Sequence, residues 1–270
     1  MPIDNLVELV KASGLSGFHP STAPTMEVGA KGPHVDLLHR LLRAALPSWE
    51  GTTDYEKLVG DKYTNNTKKT LASYQAGNCL MNDGVCGYKS WMALSGIEAF
   101  KMVYEPPAGS YLTQSKKTRC WAAATATLKG LGTEIQPSPS RTYYLDPVGG
   151  ILNDNPAEAW ANNSANFAKD MNLSVTTTGM GLNGIIYMMW LRGRVMLNSR
   201  TLFDNNSHFY VLISARGDGT DKGTTIGFWD PYPDNNKKGT VMYRSYNWLK
   251  QQYSDVTYRV FCTLNGQGKS

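Results

Sequence analysis

Four residues, met in the order glutamine, cysteine, histidine, aspartate, have the types and local settings that acyl transfer needs. Cys120 stands six residues after Gln114 in Gln114-Ser-Lys-Lys-Thr-Arg-Cys120-Trp121 and opens an alanine-rich apolar run. That run predicts a helix. A thiol at a helix N-terminus meets unpaired backbone N–H groups and the positive end of the helix dipole, both of which favour thiolate over thiol. The Gln114 amide and the backbone N–H of Cys120 can donate to an oxyanion forming beside the sulfur. A cysteine nucleophile also needs a proton carrier, and the chain has four histidines: His19, His34, His39 and His208. His208 is the best placed, because it begins the apolar run His208-Phe-Tyr-Val-Leu-Ile after the turn-forming Asp204-Asn-Asn-Ser207. Asp230 closes a second strand-like run, Thr224 to Trp229, just before Pro231. It is placed to orient an imidazole and stabilise its charged form.

These residues need a framework. A helix that carries the thiol, packed on a sheet that carries the base, is an α+β arrangement with a cleft between the layers. Supporting elements are a helix from Ala157 to Lys169 with Pro156 near its first turn, a helix from Leu182 to Leu191 read as a core element, a strand from Arg194 to Asn198 beside that of His208, and a C-terminal strand, Tyr258 to Leu264, with Cys262 in the core. Lys116, Lys117 and Arg119 read as a solvated charge run. Upstream, Pro106-Pro107 and Gly109-Ser110 mark residues 101–112 as a linker. The chain is thus expected to divide into residues 1–100, the linker, and residues 113–270. In the first part, Val35, Leu38, Leu41 and Leu42 recur at helical spacing behind Pro33. A second helix is expected from Asn66 through Leu71 to Gln75, and a third starts near Tyr88 and carries Trp91 and Leu94.

Composition sets limits on function. Among 270 residues, 41% are hydrophobic and 18% charged, which suits a globular protein. The apolar stretch Gly184 to Leu191 is cut short by Arg192 and Arg194, so no membrane span is expected. The net charge of +5, from 27 basic and 22 acidic residues, is mild. No basic cluster is interleaved with aromatics, which argues against nucleic acid as a partner. The first ten residues carry acids and no basic n-region, so a secretory signal is not expected. Cys79 and Cys86 flank the Asp83-Gly84 turn and are open to two readings, a disulfide or two reduced buried thiols. Their spacing is poor for zinc, and neither a metal nor a cofactor is called for.

In combination, Gln114, Cys120-Trp121, His208 and Asp230-Pro231 resemble a papain-like cysteine peptidase of the compact bacterial branch, which uses Asp where papain uses Asn. The likeness runs from about Thr113 to the C-terminus, with Ser207 standing where the family often has Gly. It implies a Cys120, His208, Asp230 triad with Gln114 at the oxyanion. Residues 28 to 96 resemble a three-helix peptidoglycan-binding domain. The likeness rests on Gly32, Val35, Leu38, Leu42, Asp61, Tyr63, Leu71, Tyr74-Gln75, Leu80, Asp83-Gly84-Val85, Gly87, Trp91 and Leu94, with Lys62 and Thr64 at usual glycine positions. Such bundles also serve as spacers. The insertion Pro47 to Leu58 has no assigned role. The joint expectation is a papain-like hydrolase domain behind a small helical domain, cutting peptide linkages of bacterial peptidoglycan. The alternatives are a cysteine protease of protein substrates or a non-catalytic wall-binding protein. Expected partners are peptidoglycan or a peptide, with a cognate immunity protein or secretion apparatus, for an effector or toxin acting in the periplasm or cell wall of a target bacterium.

Overall fold

The computed structural model describes residues 6–116, 119–136, 157–176, 180–200, 207–232, 238–252 and 259–264. Two compact units emerge, Met1–Lys101 with Arg216–Thr225, and Met102–Ala215 with Ile226–Ser270. The fold is mixed helix and antiparallel sheet. Among the described residues no helix is long and apolar enough to cross a membrane.

The first unit is built from α1 (Leu6–Ala12), α2 (Pro33–Ala45), a 3-10 turn (Pro47–Trp49), α3 (Thr53–Glu56), α4 (Asn65–Gly77) and α5 (Tyr88–Leu94). The three helices expected here are α2, α4 and α5, and the rest are additions. Helix α2 starts on Pro33, whose missing N–H costs nothing in the first turn. Its Val35, Leu38, Leu41 and Leu42 are fully buried with Leu71, Trp91 and Leu94. Helix α4 starts in a capping box in which the Thr64 hydroxyl accepts from the Thr67 N–H while the Thr67 hydroxyl accepts from the Thr64 N–H. Gln75 ties α4 to the turn at Asp83-Gly84 through Val85 O, Ser90 Oγ and the Gly84 N–H. Gly84 has φ +66, and a Cβ there would lie 2.5 Å from Lys68 Cγ, so only glycine makes this turn.

The second unit holds α6 (Cys120–Lys129), α7 (Ala157–Asp170), α8 (Leu182–Arg192) and α9 (Tyr246–Gln252). Its strands belong to a seven-stranded sheet ordered β2-β7-β3-β4-β5-β6, with β1 also paired to β4. The strands are β1 (Phe100–Val103), β2 (Leu173–Val175), β3 (Val195–Arg200), β4 (Ser207–Gly217), β5 (Thr225–Asp230), β6 (Thr240–Ser245) and β7 (Arg259–Thr263). Strand β3 runs antiparallel to both β4 and β7, with Leu197 opposite Tyr210 and Ser199 opposite His208. Helix α6 is buried from Cys120 to Leu128 and packs through Trp121, Ala124 and Leu128 onto Met196, Val211, Ile213 and Phe261. Phe167 from α7 meets Trp121 edge-on at 5.8 Å and Phe261 at 5.5 Å. Helix α6 ends at Gly130, whose φ of +71 suits glycine and where an added Cβ would crowd Pro107 Cδ at 3.1 Å. The fully buried Arg194 then donates to Leu128 O at that end and to Glu105 O.

Several expectations change. The stretch 101–112, expected as a linker, starts inside β1, sends the Tyr104 N–H to Ile213 O and buries Ser110. Its first residues pair with the sheet, which a reading of Pro and Gly content does not foresee. Residues 216–225, expected within the hydrolase part, belong to the helical unit. Helix α8 is not wholly core: Leu182, Ile185 and Met189 are buried while Tyr187 and Trp190 are about three-fifths exposed (57% and 60%). Pro156, Lys117, Tyr258 and the turn residues 204–206 lie outside the described residues.

Candidate active site

Strands β4 and β5 are sheet neighbours joined by the short connection 218–224. The start of β4 therefore faces the end of β5. His208 is the second residue of β4 and Asp230 the last of β5, and His208 Nε2 lies 2.7 Å from Asp230 Oδ1. The same carboxylate oxygen accepts from the Tyr232 N–H at 2.8 Å, which fixes its direction. With Nε2 engaged, Nδ1 is the ring nitrogen left for a third member, and Cys120 is near enough to act with Asp230 in raising the imidazole pKa. Cys120 arrives there as the first residue of α6, at the helix end where backbone N–H groups have no intrahelical acceptor.

The three side chains are buried: Cys120 is 8% exposed, His208 5% and Asp230 4%. Burial by itself pushes the His208 pKa down, but the hydrogen bonds to Asp230 and Cys120 and the charges on both outweigh it, and the imidazole is raised to about 10. That direction favours the protonated, proton-donating form of His208. The Tyr210 ring stands edge-on to it at 4.7 Å and limits how it can turn.

Gln114 is brought to the same place by backbone stitching along residues 111–114. The Gln114 N–H donates to Pro231 O, one residue past Asp230, while the Trp229 indole N–H donates to Leu112 O at 3.0 Å. The Leu112 N–H is taken by Thr127 Oγ1 on α6, and Thr113 Oγ1 accepts from the Gly239 N–H. Gly239 is required, since a Cβ would overlap the Trp229 ring at 2.1 Å. The Gln114 side chain is buried, and its Nε2 donates to Lys116 O at 3.0 Å.

The loop between Gln114 and Cys120 has an anchor that the sequence did not reveal. Glu134 accepts from Ser115 Oγ at 2.5 Å and from the Ser115 N–H, and its carboxylate lies 3.8 Å from Arg119 Nη2. Arg119, read as part of a solvated charge run, is instead 6% exposed, donates to Ile135 O at 2.7 Å and lies over the Trp121 ring. It precedes the helix and packs under it, so only Lys116 of the described charges keeps the expected exposed position. Glu134 gives no local signal, because its role exists only once residues 131–136 fold back beside 115–119.

The remaining candidates separate cleanly. His39 is buried in the helical unit, His34 lies near Trp91 and Phe18, and His19 bonds Ser21 at the surface. Cys79, Cys86 and Cys262 are buried and unbridged. Cys86 pairs its backbone with Met26, and burial pushes its thiol pKa well up, toward the uncharged form. Of the two readings left open for Cys79 and Cys86, this structure has the reduced one. Among the described residues no group of three or more His, Cys, Asp or Glu side chains is arranged to hold a metal ion.

No protein-family model, curated protein or solved structure matches this chain. The functional reading therefore rests on residues and geometry.

Proposed function

We propose that this protein is a papain-like cysteine hydrolase that breaks an amide bond, a peptide linkage of bacterial peptidoglycan, and that its helical unit holds it at the wall. The observation that carries the reading is the buried His208–Asp230 pair at 2.7 Å, with Cys120 near it at the first residue of α6 and acting with Asp230 to raise the imidazole pKa. In this mechanism the Cys120 thiolate attacks the amide carbon, and the carbonyl oxygen becomes an oxyanion that accepts from the Gln114 amide and the Cys120 N–H. The His208 imidazolium gives its proton to the leaving amine as the C–N bond breaks, leaving a thioester. Water then attacks that thioester while His208 takes a proton from it, and the acid leaves as Cys120 regains the thiolate. Asp230 holds the ring orientation and stabilises its charged form throughout. Wall attachment is supported by the motif residues between 28 and 96, and the mild positive charge favours a polyanionic wall. Such an enzyme works as a wall-degrading effector in the periplasm of a target cell.

The test is mass spectrometry of muropeptides released from purified sacculi, run beside casein as a protein substrate. The full chain is expected to release peptide-cleaved muropeptides, and Cys120→Ala to lose at least about 10³-fold in rate. Casein digestion with intact sacculi would assign the same site to protein substrates. Release unaffected by Cys120→Ala would remove the nucleophile.

A further inference from the structure

In the helical unit a cleft of about 500 Å³ opens between α1, α2 and α3 with the turn that follows it. Helix α2 supplies Asp36, His39, Arg40 and Arg43, spaced to share one face. His39 brings no charge, since burial pushes its pKa down and both ring nitrogens are bonded, to Gly60 O and Thr67 Oγ1. Arg40 gives Nε to Asp36 at 2.8 Å. Arg43 pairs with no carboxylate among the described residues; its guanidinium carbon lies over the Tyr55 ring, 4.5 Å from its centre, and the side chain lines the cleft. Two guanidiniums against one aspartate leave the lining with one net positive charge. Beside this charge stand apolar groups, Leu9, Leu58 and Val59.

The outer wall is the insertion to which the sequence assigned no role. It is pre-formed: Thr52 Oγ1 caps α3 by accepting the Tyr55 N–H, and Asp54 is stapled to α4 by Lys69 at 2.7 Å and, through its carbonyl, by Asn66. A rigid, mixed cleft with a single stacked guanidinium matches a monoanion with apolar flanks better than a phosphate. We infer that this cleft between α2 and the 47–60 connection is a binding site for a short peptide, gripped through a carboxylate by Arg43. The inference concerns a site apart from Cys120 and does not need that residue to be a nucleophile.

The experiment uses the full chain carrying Cys120→Ala, so that no probe is consumed, and titrates it with acetyl-Ala-Glu-Ala as free acid and as the fully amidated peptide. Calorimetry is expected to show saturable binding of the acid, weakened roughly tenfold or more by Arg43→Gln and by amidation. Equal binding of acid and amide, or no binding of the acid, overturns the site. The amide arm needs no substitution at the cleft and so is independent of how the Gln variant folds. Repeating the titration with D-configured glutamate and terminal alanine distinguishes a wall stem peptide from a protein C-terminus as the source of the carboxylate. Sacculus digestion by the unsubstituted chain reports separately on the hydrolase.

Discussion

His39 in the helical unit and His208 in the sheet unit are nearly equally hidden, at 1% and 5% exposed, and both rings are hydrogen-bonded, His39 through both nitrogens and His208 through Nε2. Their protonation goes in opposite directions. For His39 desolvation is the largest influence, and the Gly60 carbonyl with the distant charge of Asp36 only partly offsets it, so the pKa falls. For His208 desolvation is again the largest single influence, yet Asp230 and Cys120 together reverse it. Burial is common to the two rings, and the charge of the partner decides. A neutral imidazole is content between a carbonyl and a hydroxyl, as His39 is, and such a histidine is a structural strut. An imidazole between a carboxylate and a sulfur is held charged, and that is a group able to donate a proton.

The contrast can be tested by giving each ring the other's surroundings. The largest expected effect comes from Asp230→Asn, which keeps a hydrogen-bond acceptor but removes the charge. Hydrolytic kcat/KM should fall by about 10²- to 10⁴-fold, and the His208 titration followed by NMR should move down toward the ordinary imidazole range. An unmoved titration would mean that Asp230 is not what holds the proton. Next is Thr67→Ala, which takes the partner of His39 Nε2 and one half of the α4 capping box at once. Chemical denaturation should show a loss of about 1–3 kcal/mol, with alkylation of Cys120 unaffected. The smallest effect is one of slope. Because folded His39 lies below its ordinary value of 6.5, the unfolded chain binds more protons under acid conditions, and stability declines as pH falls below about that value. His39→Gln should flatten this acid limb. His208 has the reverse dependence: its contribution is complete below 6.5 and disappears as pH climbs toward about 10, so Asp230→Asn should flatten the alkaline limb.

The three candidate residues could be read from the chain because each sits at a local punctuation mark. Cys120 opens a helix, His208 opens a strand and Asp230 ends one before a proline, and a short hairpin connection brings the last two together without any long-range information. Gln114 was suggested by spacing alone, and its placement depends on Trp229, Thr127 and Gly239, which no local pattern joins to it. Glu134 and Arg119 were missed or misread for the same reason: a charged side chain looks solvated until a partner from elsewhere encloses it. Helix α8 shows a limit of composition. Its residues are apolar nearly all round, but only the Leu182, Ile185 and Met189 side meets the sheet, and hydrophobicity does not say which face will be covered. In residues 101–112 proline and glycine mark the end of a regular element without saying whether the chain then leaves the surface.

The helical unit takes residues from two separate stretches of the gene. Arg216 is 3% exposed and pairs with Glu98 through both guanidinium and carboxylate ends, while Tyr88 donates to Asp218 at 2.8 Å. No single crossover between two genes can therefore exchange this unit whole. A recombinant that replaced the first hundred codons would keep Arg216 without Glu98, leaving a buried cation unpaired at a cost of about 3–5 kcal/mol. Any exchange of the helical unit would have to change the β4–β5 turn in step, which ties the inheritance of the two stretches together.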